Sequence, residues 1–181
     1  MSQFHVEHVA HARLFAIAAH RANNHHRKYT GERYEVHLYE VADIVTSING
    51  TTEMLQAAWL HDTVEDTGIT HDDILEVFGP TVRDYVFWLT DDLTPEDGNR
   101  KFRKDAARAR LAQAPAQVHT IKCADLISNT KSIVEHDPSF AKVYLQEKRD
   151  LLRVMKSGNN YLWTRAAIQC GLIERSSSAL L

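Results

Sequence analysis

Ten consecutive residues carry the densest chemistry in the chain: Ala58-Trp59-Leu60-His61-Asp62-Thr63-Val64-Glu65-Asp66-Thr67. An apolar, helix-forming run ends at Leu60. His61 and Asp62 follow side by side, and the carboxylates Glu65 and Asp66 come within five residues of them. Burying that many unpaired ionisable groups beside Leu, Trp and Val is expensive. A divalent metal resolves the difficulty by supplying the opposite charge. The blander reading is a His-Asp pair at a helix end, with Glu65 and Asp66 capping the next element.

Other residues of the same types stand elsewhere. His37 lies at the start of an expected helix. Asp125 is set between Cys123, Ala124, Leu126 and Ile127, an apolar neighbourhood in which a carboxylate must be paired, capping or metal-bound. Asn129 is one helical turn further on and shares its face. Together His37, His61, Asp62 and Asp125 offer two imidazoles and two carboxylates, a set suited to Mn, Fe or Mg. No pairs of Cys ligands point to structural zinc. His5, His8 and His11 recur every three residues and read as a solvated stripe or a metal face. The basic stretch Arg21 to Arg33 reads equally as a solvated loop or an anion contact. The basic run from Arg100 to Arg110 reads as a solvated helix face. If it rims the metal site, it suits polyanionic phosphate.

The elements that must position these groups are helices. Apolar residues on a helical period mark about Phe4 to His20 and His37 to Ile48, the latter stopped by Asn49-Gly50. Thr51 or Thr52 caps the helix that carries His61 and Asp62. Thr70-His71-Asp72-Asp73 resembles a capping box with Asp in place of Glu and opens a short helix to Phe78. Gly79-Pro80 restarts the chain, with Val82, Tyr85, Val86 and Leu89 facing inward. Further helices are expected over about Arg100 to Ala114, from Pro115 through Val134, Ser139 to Ser157, and Tyr161 to Cys170. Strand-like alternation is scarce, so the fold class is all-α, with eight to ten helices around a single metal site.

Composition sets the outer limits. The chain has 181 residues, 44% of them hydrophobic and 25% charged, which fits one domain over 1–175 with a flexible tail at 176–181. A net charge of −3 gives no global basic field for duplex nucleic acid. No run is long and apolar enough to span a membrane. Two cysteines without paired spacing suit a reducing compartment, so a cytoplasmic protein is expected.

The order His37, His61-Asp62, Asp125 in an all-helical chain resembles the signature of HD-domain metal phosphohydrolases. Closer still, Arg27-Lys28 with Gly31-Glu32-Arg33-Tyr34-Glu35-Val36-His37 is similar to a segment of the Rel/Spo alarmone hydrolases, and so is Ala57 to Thr67 nearly letter for letter. Phe78-Gly79, Leu89-Thr90-Asp91-Asp92 and Lys122-x-Ala124-Asp125 with Asn129 match in order and spacing. Without a synthetase segment, the chain looks like a stand-alone small alarmone hydrolase.

The resemblance implies that His37, His61, Asp62 and Asp125 bind one Mn ion and that Glu65 and Asp66 position and deprotonate the attacking water. It implies substrate contacts from Arg27, Lys28, Asn129 and Ser132. The reaction implied is hydrolysis of guanosine 3′,5′-bis(diphosphate)-type alarmones to the 5′-nucleotide and pyrophosphate. Leu38, Leu93 and Leu126 depart from the family pattern, which often has Pro at the first position and basic residues at the other two. Losing two cations leaves the substrate open. The alternatives are an adenosine alarmone, NADPH, a nucleoside monophosphate, or a pyrophosphorylated tRNA 3′ end in an antitoxin role. A homo-oligomer is compatible with the sequence.

Overall fold

The computed structural model describes residues 3–174. The described residues form ten helices: α1 (Gln3–Ala22), α2 (Glu35–Ser47), α3 (Thr52–Leu60), α4 (Thr63–Asp66), α5 (His71–Phe78), α6 (Pro80–Leu89), α7 (Arg100–Leu111), α8 (Ala116–His136), α9 (Pro138–Val154) and α10 (Asn160–Gln169). Among them there is no strand, only an isolated bridge between His26 and Arg33. No described helix is long and apolar enough to cross a membrane. The expected tail at 176–181 lies outside the described residues.

Two helices make the centre. In α3, Met54 to Leu60 are all buried, and α8 buries eleven of its 21 residues. Helix α8 packs against α2, α3, α6, α9 and α10, while α3 packs against α1, α2 and α6. A helix apolar on most of its circumference can only be a core helix. Here the two such helices bring polar residues inward with them.

Local chemistry sets the helix ends. Thr51 accepts a hydrogen bond from the Met54 N–H at the start of α3. Thr70 and Asp73 make the reciprocal capping box expected of the sequence. Gly79 sits at φ +81° between α5 and α6, a backbone conformation that L side chains resist. Gly50 is required by close approach, since a Cβ there would lie 2.5 Å from Val45 Cγ1.

The basic helix α7 is shorter than the expected Arg100 to Ala114. Pro115 disfavours helical backbone at the residue before it, and α7 ends at Leu111. Tyr85 is half-buried, whereas Val82, Val86 and Leu89 are in the core. The described side chains of His5, His8 and His11 are exposed, and His11 stacks near Phe78 at 5.2 Å. None of the three joins a cluster of ligand atoms among the described residues.

Candidate metal centre and active site

Four helical segments aim the expected ligands at one point. His37 is on the first turns of α2, His61 ends α3, Asp62 begins the turn into α4, and Asp125 is midway along α8. His37 Nε2 lies 3.2 Å from His61 Nε2. Asp62 Oδ2 is 3.0 Å from His61 Nε2 and 3.5 Å from His37 Nε2. Asp125 Oδ1 is 3.4 Å from His37 Nε2 and 3.9 Å from His61 Nε2. Both imidazoles are buried, and the Asp125 side chain is 7% exposed.

The outer partners show what belongs at the centre. His61 Nδ1 faces the Ala58 carbonyl at 2.9 Å, so that nitrogen must carry a proton. His37 Nδ1 faces Ser128 Oγ at 2.9 Å. The Ser128 hydroxyl in turn donates to Glu40 Oε2 at 2.5 Å, so His37 Nδ1 is also a donor. In the neutral tautomers both Nε2 atoms are then bare lone pairs, facing each other beside two carboxylates. That arrangement is repulsive until a cation enters it. The donor set of two imidazole nitrogens and two carboxylates fits a divalent ion.

Electrostatics agrees. Burial opposes charge on His37, but hydrogen bonds to Asp125 and Asp62 outweigh it and push the imidazole up to about 9. Without metal, a proton takes the cation's place. Burial likewise opposes charge on Asp62, yet His61 and the bonds to both imidazoles hold its carboxyl well below the usual range. Lys122 does the same for Asp125 against burial.

Neighbouring groups orient the clustered side chains. The Tyr34 hydroxyl donates to Asp62 Oδ2 at 2.5 Å. Lys122 Nζ holds Asp125 Oδ2 at 2.8 Å, and Asn129 Nδ2 donates to Asp125 Oδ1 at 2.6 Å. Lys122, Asp125, Asn129 and Ser132 fall on one face of α8. The resemblance assigned Asn129 to substrate, and one of its amide protons is engaged by Asp125. Ser132 is half-buried one turn beyond it.

Arg27 does not reach the ligand cluster. Its guanidinium, 9% exposed, donates to Glu40 Oε2 at 3.0 Å. A continuous chain therefore runs from Arg27 through Glu40 and Ser128 to His37. Lys28 is exposed, with its ammonium 5.0 Å from the Tyr29 ring.

Glu65 and Asp66 stand on α4, on the open side of the cluster. Glu65 Oε2 accepts the Asp91 backbone N–H at 3.1 Å. Partial burial and the charge of Asp62 raise both carboxyls, and Asp66 reaches about 7. A carboxyl raised to about 7, as at Asp66, suits a group that takes up a proton near neutral pH. Asp66 Oδ2 also lies 3.9 Å from His25 Nδ1. His20, His25 and Asp66 form a second group of ligand-type atoms, all within 4.8 Å of one another. The Tyr34 ring stacks on both histidines. Sequence reading missed Glu40 and Ser128 as members of the site. Tyr34 and Lys122 lay within recognised motifs but had no role assigned to them.

A helical bundle that brings His37, His61-Asp62 and Asp125 together could hold a divalent metal at that cluster. The sequence pattern described as HD domain matches residues 12–151, and the chain belongs to that family. A relative from Mus musculus, named guanosine-3′,5′-bis(diphosphate) 3′-pyrophosphohydrolase MESH1, is 38% identical over 129 residues, covering 68% of this chain and 69% of that protein. The Danio rerio protein of the same name is 36% identical over 124 residues, 66% of this chain and 65% of that protein. The matched stretch thus spans about two thirds of these relatives' length. A solved structure of a metazoan SpoT ortholog superposes with a TM-score of 0.80, covering 92% of this chain and 97% of that one at 24% identity. That likeness concerns the fold.

Proposed function

We propose that the chain is a metal-dependent 3′-pyrophosphohydrolase of guanosine 3′,5′-bis(diphosphate)-type alarmones, loaded with one Mn ion and acting in the cytoplasm. The observation that carries this reading is the pair of converging Nε2 lone pairs flanked by Asp62 and Asp125, with Glu65 and Asp66 at its edge. The activity for which the mouse and zebrafish relatives are named supports the choice of substrate.

His37, His61, Asp62 and Asp125 would hold the ion. When bound, it supplies Lewis acidity toward a water and a phosphoryl oxygen. The chain's own residues do the rest. Glu65 Oε2 is pinned by the Asp91 N–H, which leaves Oε1 as the atom that takes the proton from the attacking water. Asp66, the neighbouring carboxylate raised to about 7, shares that proton. Tyr34 and Lys122 keep Asp62 and Asp125 in place. Water adds to the 3′-attached phosphorus and the P–O3′ bond breaks; O3′ takes up the proton shared by Glu65 and Asp66, and GDP or GTP leaves with pyrophosphate.

The test is product release from a panel at equal concentration: guanosine and adenosine 3′-diphosphate alarmones, NADPH and a deoxynucleoside monophosphate, each with Mn and with chelator. Mn-dependent pyrophosphate from the guanosine alarmone is expected. Inorganic phosphate from NADPH or the monophosphate, with no pyrophosphate from either alarmone, would overturn the reading.

A further inference from the structure

A second group of ligand-type side chains lies beside the first centre. His20 is in the last turn of α1, His25 is in the loop that follows, and Asp66 ends α4. The chain turns back at Asn24, where φ is +49°, and the His25 N–H donates to the His20 carbonyl at 3.0 Å. That turn sets the two rings side by side, with Nδ1 facing Nδ1 at 3.0 Å. Asp66 Oδ2 lies 3.9 Å from His25 Nδ1. The Tyr34 ring stacks on both imidazoles, 4.8 Å from His20 and 3.9 Å from His25, while its hydroxyl holds Asp62. Tyr34 thus links this group to the first centre.

A hydrogen bond between the rings accounts for the 3.0 Å approach alone. It leaves Asp66 facing an imidazole nitrogen at 3.9 Å, beyond hydrogen-bond reach. Both distances suit ligands of one small ion. Around a tetrahedral centre with bonds of about 2.0–2.1 Å, neighbouring donor atoms stand roughly 3.4 Å apart. His20 is buried. Burial pushes it down to about 4 and lowers His25 as well, so both rings are uncharged at neutral pH, the form that binds metal. The C-terminus of α1 beside them favours a cation. Two imidazoles, one carboxylate and an open fourth position make a donor set for zinc, whereas Mn holds such a three-ligand site weakly.

We propose that His20, His25 and Asp66 form a second, zinc-selective site that restrains the enzyme. Zinc there takes up a lone pair of the Asp66 carboxylate, and a carboxylate bound to a divalent cation is no longer a base. Asp66 then cannot share the proton released by the attacking water. The site stands on its own geometry; its inhibitory role rests on the alarmone reading above.

The experiment first counts zinc. Metal-free protein is titrated with Zn against a chromophoric chelator, and circular dichroism verifies that each variant is folded. Wild type should bind two Zn per chain, because zinc also fills the first centre. His25→Ala and Asp66→Asn should each bind one. Asp62→Ala, with the first centre disabled, should also bind one, and Asp62→Ala combined with His25→Ala should bind none. One Zn per chain in wild type, or two in folded His25→Ala, would overturn the site. Inhibition is then read on Mn-saturated enzyme releasing pyrophosphate from guanosine 3′,5′-bis(diphosphate). Loss of even an outer partner of a metal-bound histidine costs roughly ten- to hundredfold in affinity. Loss of His25 itself should therefore raise the Zn needed for half inhibition at least about tenfold. Equal sensitivity of wild type and His25→Ala would mean that Zn acts at the first centre, and would overturn the inhibitory role. Wild type that binds two Zn in a His25-dependent way but hydrolyses no alarmone would overturn the alarmone reading and leave the site standing.

Discussion

Ser128→Ala probes how the fold sets the metal's affinity. Ser128 stands between two groups of unlike role: it accepts the His37 Nδ1–H at 2.9 Å and donates to Glu40 at 2.5 Å. Removing the hydroxyl deletes one oxygen and creates almost no void. It leaves a buried imidazole N–H without an acceptor, since His37 is 1% exposed. An unsatisfied buried donor costs roughly 1–3 kcal/mol. The imidazole can escape that cost by moving its proton to Nε2, but it then loses the lone pair that faces the metal. Either way the penalty falls on the metal-loaded state. At about 1.4 kcal/mol per factor of ten, Mn affinity should drop roughly ten- to hundredfold, the range found for outer partners of metal-bound histidines. The assay is titration of metal-free protein with Mn against a fluorescent chelator at pH 7.5, with circular dichroism to verify folding. A folded Ser128→Ala protein whose Kd stays within twofold of wild type would refute the reasoning. Arg27→Met, two links further out through Glu40, should weaken Mn less. If it instead leaves Mn binding unchanged and raises substrate KM, Arg27 contacts substrate as the family resemblance implies.

Two further predictions concern protons. Glu65→Gln should retain Mn but lose a factor of roughly 10²–10⁴ in kcat for pyrophosphate release, as expected for removal of a general base; normal turnover would exclude Glu65 from that role. His20 is buried, and burial is the main cause that lowers its pKa from 6.5 to about 4. The unfolded chain therefore binds more protons than the folded one between those values. Stability is lost as pH falls through this window, by up to about 3 kcal/mol from this group. Urea denaturation of metal-free protein at pH 7.5 and 5.0 should show a smaller loss in His20→Phe than in wild type, and equal losses would contradict the burial argument.

Much of the fold was legible because its signals are local. Thr70 with Asp73, Pro80 after Gly79, and Asn49-Gly50 each fix a helix end through contacts within a few residues. The clustering of His37, His61, Asp62 and Asp125 was legible because no apolar core accommodates such groups unpaired. The supporting shell was not. Tyr34 meets Asp62 across 28 positions, His37 meets Ser128 across 91, and Ser128 meets Glu40 across 88. Each of these side chains has an ordinary role at its own place in the sequence, and only packing of α2 against α3 and α8 gives it another. Arg27 was open between a solvated loop and an anion contact, and its pairing with Glu40, thirteen residues later, shows only in the fold. The basic run on α7 was ambiguous for a similar reason. Whether it faces bulk water or a shared cavity depends on α9, some forty residues later.

The most direct test of the account is stepwise addition of Mn to metal-free protein while pyrophosphate release from guanosine 3′,5′-bis(diphosphate) is followed. The rate should rise from zero and level off at one Mn per chain, and Asp62→Ala should neither bind the ion nor turn over. Pyrophosphate release in chelator, or full activity in Asp62→Ala, would contradict the assignment of His37, His61, Asp62 and Asp125 as the centre that drives the reaction.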